Sequence, residues 1–339
     1  MKQIKFFVGT DVSKQWLDMC IISEGKVLHH AQIANKLSAI RTWLRQTQKA
    51  FGYKLEETLF SMEFTGLYNY WLLEALSELN AMIWLIPGLQ ISEGSTNGLK
   101  RGKSDKQDAI RIAMYASKNI EQIRLWKKPR RVLEQLQTLL MIREKLQKTK
   151  HQYETTLKEY KSYSSKEEYL IVNCCSQTML KTTGKELERV EEEIKTLIQS
   201  DEKLKELDGY ITSVDGVGLI TSANVLVTTN EFISIKEAKQ YACYAGVVPF
   251  KDESGNYKKR PKVSHKANKK IKKLFHLLAM SVIRMNGEMK IYYERKLAEG
   301  KNKMSVLNAI RNKLMLRIFS CVKNKKYYEK NYVYSLAKP

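Results

Sequence analysis

Four carboxylates stand at positions where secondary-structure elements begin or end. Asp11 closes an apolar, β-branched run, and Glu63 closes another. Asp105 and Asp108 open a helical stretch three residues apart, which puts both on one helical face. Each acid alone has an ordinary reading, since Asp is a good helix N-cap and a Glu at a strand end is usually a surface residue. Gathered together, four carboxylates repel one another and hold each other's pKa values up, unless cations relieve the repulsion. Oxygen-only donors of this kind suit Mg²⁺, which keeps water and substrate phosphate in its remaining positions. Two such ions about 4 Å apart clamp the attacking and leaving oxygens of a phosphodiester.

The elements that must position these acids can be read from periodicity. Ile4–Thr10, Leu17–Ser23 and Lys26–Ile33 alternate as strands, with a Glu24-Gly25-Lys26 hairpin turn between the last two. Ser38–Phe51 places Ile40, Trp43, Leu44 and Thr47 at helical spacing. Thr58–Phe64 is a fourth strand, Tyr68–Leu79 a helix, Ala81–Pro87 a short buried strand and Asp105–Ser117 a further helix. The order β-β-β-α-β-α-β-α matches a ribonuclease H-like fold, an antiparallel hairpin sheet that turns parallel. In that fold strands one and four are neighbours, so Asp11 and Glu63 would lie side by side.

From Arg131 to about Asp208 the chain is rich in Lys, Glu, Gln and Leu and nearly free of Gly and Pro. Leu187, Val190, Ile194, Leu197 and Leu204 follow three- and four-residue steps as a short heptad seam that ends near Asp208. Leu133, Leu136 and Leu140 begin a weaker one, and about Tyr163–Thr183 reads as a connection. A helical hairpin or coiled coil is expected, either packed within one chain or pairing two. Beyond it, Val214-Asp215-Gly216-Val217-Gly218 precedes a helix. It is either a plain tight turn or a helix-hairpin-helix-like element whose backbone N–H groups at Gly216 and Gly218 cradle a phosphate.

Charge identifies the class of partner. The 339 residues carry 59 Lys and Arg against 36 Asp and Glu, a net +23. Between Lys251 and Lys330 there are 23 basic and 6 acidic residues, so +17 of the excess lies there. A polyanion is implied, and nucleic acid fits better than a membrane surface because no Lys-rich helix has a bulky apolar face. No apolar run reaches the roughly 20 residues of a membrane span. Met1–Val8 leads directly into a strand pattern, without the form of a signal peptide. Five Cys with no regular spacing and five scattered His give neither a disulfide framework nor a zinc site, as in a reducing cytosol.

Several blocks resemble a known family. Phe7-Val8-Gly9-Thr10-Asp11-Val12-Ser13-Lys14, Met62-Glu63-Phe64-Thr65-Gly66-Leu67-Tyr68 and Gly102-Lys103-Ser104-Asp105-Lys106-Gln107-Asp108-Ala109 resemble the signature of the DEDD transposases of insertion-sequence family one-hundred-and-ten, with the pilin-gene invertases as relatives. Asp215-Gly216-Val217-Gly218, Tyr244-Ala245-Gly246-Val247-Val248-Pro249, Ser254-Gly255 and Val263-Ser264-His265-Lys266-Ala267-Asn268 resemble that family's C-terminal domain. The resemblance implies three parts. Residues 1–125 would be a RuvC-like, ribonuclease H-like catalytic domain with Asp11, Glu63, Asp105 and Asp108 binding two Mg²⁺. Residues 126–208 would be a helical coiled-coil spacer. Residues 209–339 would be a mostly helical, basic transposase domain with Ser254 as the nucleophile that joins covalently to DNA.

Read by itself, Lys251–Asn256 is a β-turn and Ser254 a turn residue. Cys243 is the nearby rival nucleophile, but its apolar surroundings read as those of a small buried residue. The resemblance further implies a bridge RNA that selects DNA targets, a homo-oligomer (dimer or tetramer), and a place in the bacterial cytoplasm at the nucleoid. Lys100, Arg101, Lys103, Lys258, Lys259, Arg260, Lys266, Lys269 and Lys270 would hold nucleic-acid phosphates. Tyr292, Tyr293, Tyr327 and Tyr328 would either stack on bases or, as adjacent aromatics usually do, pack internally. Two other readings stay open. One is a metal-dependent junction nuclease with no covalent step, and the other a nucleic-acid-binding protein without catalysis.

Overall fold

The computed structural model describes residues 3–88, 90, 91, 104–254, 257–264 and 267–329, with backbone alone at 251–254 and 257–260. The chain forms two compact units that divide between Lys128 and Pro129. Among the described residues no helix is long and apolar enough to cross a membrane.

The first unit is built on a mixed five-stranded sheet. Its strands are β1 (Phe6–Val12), β2 (Trp16–Ser23), β3 (Lys26–Ala34), β4 (Thr58–Glu63) and β5 (Met82–Ile86), in the spatial order β3-β2-β1-β4-β5. The β1–β2 and β2–β3 pairs are antiparallel, whereas β1–β4 and β4–β5 are parallel. This is the hairpin sheet turning parallel that the element order predicts. Alternation along each strand feeds two cores. Val8, Val12, Leu17, Met19, Phe60 and Met62 pack against α1 (Leu37–Phe51) and α2 (Tyr70–Glu78). On the opposite face Phe7, Leu59, Trp84 and Ile86 meet Ile112, Tyr115 and Ala116 of α3 (Asp105–Lys118), while Cys20 and Ile22 meet Ala109 and Ala113.

The second unit is mostly helical. Two long helices, α4 (Arg131–Tyr163) and α5 (Lys166–Ser200), are followed by α6 (Glu202–Thr212), α7 (Leu219–Thr229) and α8 (Ala238–Tyr244). A hairpin of β6 (Pro249–Ser254) and β7 (Tyr257–Val263) then leads to α9 (Lys269–Val282), α10 (Glu288–Ala298) and α11 (Lys303–Asn324). One continuous core runs from Leu133 of α4 through Ile194 and Ile211 to Phe275 and Ile318. Each fully buried aliphatic side chain there contributes about 1.5–3 kcal/mol relative to exposure.

Two sequence expectations change, and Asp208 adds a burial that the sequence does not indicate. The stretch Tyr163–Thr183 is not a long connection. Only Ser164 and Ser165 interrupt the helices, and Ser165 starts α5 with a capping box in which its hydroxyl accepts from the Glu168 N–H. The apolar seam fades there because Leu170 and Ile171 are exposed, not because the helix stops. The heptad seam is itself split at Asp201, which caps α6 through the Leu204 N–H at 2.9 Å. Finally, Asp208 is buried although its charge marks the end of the seam, and one of its oxygens has no partner.

Candidate active site

The four acids reach their places through register and packing. Thr10 pairs with Met62 in the β1–β4 ladder, so Asp11 and Glu63 come next on neighbouring strands. Both have the parity of Phe7, Gly9 and Leu59, which sets them on the sheet face that α3 covers. Gly9 allows that cover. A Cβ there would fall on the Ala109 carbonyl and the Ala113 N–H, and 2.7 Å from the Ala113 methyl carbon. The helix therefore lies directly on the β1 backbone, and its first turn brings Asp105 and Asp108 to the same face.

Ser104 caps α3, its hydroxyl accepting from the Gln107 N–H at 3.3 Å. Asp105 is exposed. Asp108 is half-buried, and its carboxylate accepts from the Arg111 guanidinium at 2.7 Å. Among the described residues no three His, Cys, Asp or Glu side chains stand together closely enough to hold a metal ion. The donor set nonetheless fits a hard cation by type, since all four are carboxylates. The backbone also gives Glu63 room: a Cβ at Gly88 would collide with its carboxylate.

Two residues outside the sequence reading shape this face. Asp18 stands directly opposite Asp11 in the β1–β2 ladder and is only 5% exposed. Its oxygens accept from His30 Nε2 at 3.0 Å and Gln32 Nε2 at 2.9 Å. The apolar run around Asp18 hides it in the sequence, and its partners emerge only with the β2–β3 register. Asn69 is fully buried behind β4. Its amide donates to the Glu63 carbonyl at 3.0 Å and accepts from the Thr65 N–H at 2.7 Å and hydroxyl at 2.9 Å. It fixes the turn by which the chain leaves Glu63. The sequence signal for it is an Asn just after the Met-Glu-Phe-Thr-Gly run.

In the second unit, Ser254 is the last residue of β6 and pairs with Tyr257 across the hairpin. Lys258, Lys259 and Arg260 lie on β7. The sequence blocks on either side anchor the hairpin's root. Asn268 caps α9 by accepting from the Ile271 N–H at 3.0 Å, and its amide donates to the Tyr244 hydroxyl at 2.7 Å. Gly246 has φ +63°, and a Cβ there would strike Ala267. Asn308 of α11 donates to the Val247 carbonyl at 2.6 Å.

Cys243 is exposed, contrary to the expectation of burial. On the short α8 it is Ala238, Tyr241 and Ala242 that turn inward. Gly216 has φ +80°, and its missing side chain makes room for Val282 and Leu278 of α9, so its first duty is packing. Gly218 begins α7 with no side-chain cap. Lys269 and Lys270 sit in the exposed first turn of α9. Tyr292, Tyr293 and Tyr328 pack against the core, while Tyr327 is exposed and tilts against Tyr210 with ring centroids 5.4 Å apart. Lys100, Arg101, Lys103 and Lys266 lie outside the described residues.

Comparison with known proteins gives two separate matches, the first of which runs past the boundary of the first unit into α4. A DEDD transposase family model of the IS110 type matches residues 8–161. The model described as Transposase IS116/IS110/IS902 family matches residues 208–294. The pilin gene-inverting protein of Moraxella bovis is 23% identical over 332 residues, 96% of this chain and 98% of that one. The 43.6 kDa protein of insertion element IS110 from Streptomyces coelicolor is 28% identical over 123 residues, 36% of this chain and 30% of that one. Among solved structures, Thermus thermophilus RuvC with a Holliday junction substrate aligns with 36% of this chain and 99% of its own, at TM-score 0.29 and 14% identity.

Proposed function

The chain belongs to the IS110 family of transposases, and from that premise we propose that it cuts and rejoins DNA strands of its own element through a covalent bond at Ser254. Asp11, Glu63, Asp105 and Asp108 would hold two Mg²⁺, which lower the pKa of a coordinated hydroxyl and offset charge on the phosphate. The Ser254 oxygen attacks phosphorus, its proton passes to water, and the bond to the departing sugar oxygen breaks as that oxygen takes up a proton. A hydroxyl of the incoming strand then displaces the serine. One phosphodiester is exchanged for another at each step, so no nucleotide energy source is required.

The observation that supports this reading is the position of Asp11 and Glu63 on adjacent strands, on the sheet face that α3 covers. The Moraxella relative is named for inverting a gene segment. We extend the same reading to the partners. A bridge RNA chooses the DNA ends, the basic second unit holds backbones without reading sequence, and at least two copies assemble at the junction. The spacer helices act as a coiled coil. The α6–α7 turn acts as a helix-hairpin-helix, its uncapped α7 N-terminus offering N–H groups to a phosphate.

The test uses plasmids carrying two element ends, with purified protein and the RNA encoded beside the gene. Asp11→Asn and Asp108→Asn are each expected to lower strand exchange by at least about a thousandfold while DNA binding persists. Exchange at the parental rate by both variants would reject the reading.

A further inference from the structure

A cleft of about 770 Å³ opens within the second unit between α4 and α9, floored by α5 and α7. Its walls carry Arg143, Lys148 and Lys150 on α4 and Lys269, Lys270 and Lys273 on α9. Only two carboxylates, Glu144 and Glu154, line it. The floor is apolar, with Leu140, Leu187, Ile220 and Leu274, and Leu277 at the edge is 57% exposed.

We propose that this cleft binds one strand of DNA, phosphates along the basic walls and sugar and base faces on the apolar floor. The inference rests on the reading of the chain as a DNA-processing enzyme and adds a site to it. It also gives α4 a use beyond spacing, as one wall of a nucleic-acid groove. Charge complementarity selects the ligand: Arg143 is paired with Glu191 at 2.6 Å and Lys148 and Lys270 share Glu144, yet three cations on each wall still outnumber the carboxylates that line the cleft and call for a polyanion. The floor selects a single strand. A duplex keeps its base faces stacked inside and would rest on the rim, whereas an unpaired strand brings apolar faces that need cover. Strand exchange opens DNA and so produces such a strand.

Glu144 now fills part of that role. Its carboxylate pairs with Lys148 at 2.9 Å on its own helix and with Lys270 at 2.9 Å on the opposite wall. The Lys270 and Lys148 ammonium groups beside it hold its carboxyl below the usual range. An entering phosphate takes over these lysines from Glu144, so the carboxylate sets a threshold for occupancy.

The experiment measures binding of fluorescent single-stranded and duplex oligonucleotides to the full chain across salt concentrations. Lys150→Glu/Lys273→Glu, one change per wall, is expected to weaken single-strand binding at least tenfold. It should also lower the salt slope by about 0.7 for each phosphate left without its cation, with duplex binding changed less. Glu144→Gln is expected to tighten single-strand binding roughly threefold. A matched pair at the far end of the helical hairpin, Lys161→Glu/Lys166→Glu, controls for net charge.

Equal weakening by the control pair, equal weakening of duplex and single strand, or preference for RNA over DNA of the same sequence would overturn the assignment. If the parent protein bound no nucleic acid at all, the broader functional reading would fall. If the parent bound and the cleft variants bound equally well, only the cleft would.

Discussion

Gly9→Ala is a single methyl that tests how the candidate catalytic face is assembled. The added Cβ would meet backbone atoms of Ala109 and Ala113, and the Ala113 methyl carbon at 2.7 Å. Carbon atoms rest about 3.5–4.0 Å apart, so α3 must withdraw by roughly 1 Å. The obstacles are helix backbone, which no rotamer change can clear. Overpacking of this kind costs about 1–3 kcal/mol, and the upper end applies here. The same displacement moves the turn that carries Asp105 and Asp108, and a 1 Å misplacement can cost about a hundredfold in rate.

Urea unfolding measures the first effect and single-turnover cleavage at saturating DNA the second. Gly25→Ala separates them. Gly25 has φ +74° in the β2–β3 turn with open space around it, so its substitution strains the backbone without touching α3. It should lose about 1 kcal/mol and keep the parental cleavage rate. If Gly9→Ala stayed within about 0.5 kcal/mol of the parent and cleaved as fast, α3 would not be seated as described.

Asp18→Asn places an amide against the Gln32 amide in a buried site and should cost about 1–3 kcal/mol in denaturant melts; an unchanged midpoint would dismiss Asp18 as a structural anchor. Arg130 donates to Asp201 at 2.8 Å and to the fully buried Glu231 carboxylate, which Lys203 also contacts at 2.8 Å. Arg130 is 40% exposed and Lys203 still pairs with Glu231 once it is gone, so Arg130→Ala should destabilise by about 1–2 kcal/mol. Hydrogen bonding from Arg130 lowers the Asp201 pKa. For Glu231, burial pushes upward but Arg130 and Lys203 outweigh it. Their stabilisation is therefore present above the unfolded carboxylate pKa and lost as pH falls through the lowered folded values. Arg130→Ala should flatten that acid limb. Asp208 behaves oppositely. Burial raises its pKa against a smaller lowering by Ser222, so its cost appears as pH climbs from the unfolded value through the folded one. Asp208→Asn should raise the melting temperature at pH 7 but not at pH 3, and an equal shift at both would refute this.

Much of the first unit is legible in the sequence because its strands alternate cleanly. Asp11 and Glu63 close such runs, and their side-by-side placement follows from strand order. Other features need contacts that no local pattern encodes. Asp18 lies inside an apolar strand, and its partners arrive from β3. The permissive role of Gly9 depends on a helix about a hundred residues later in the chain. Within Tyr163–Thr183 the helix α5 begins at Lys166 and continues with little amphipathic signal, because part of it faces solvent on most sides and only the Ser165 cap announces its start. Cys243 reads as buried because its short segment is apolar throughout, yet a seven-residue helix turns one side outward. Asp208 reads as the end of a seam, yet it lies inside the core, where a charge is least expected.

The central claim concerns the bond between protein and DNA. Parent protein, guide RNA and Mg²⁺ are incubated with a nicked DNA substrate that releases its cut end, and products are separated under denaturing conditions. The account predicts DNA attached to the protein, with the linkage mapping by mass spectrometry to Ser254, and none attached to Ser254→Ala although that variant still binds DNA. Cleavage by Ser254→Ala to free ends at the parental rate would contradict it and identify a hydrolytic nuclease instead.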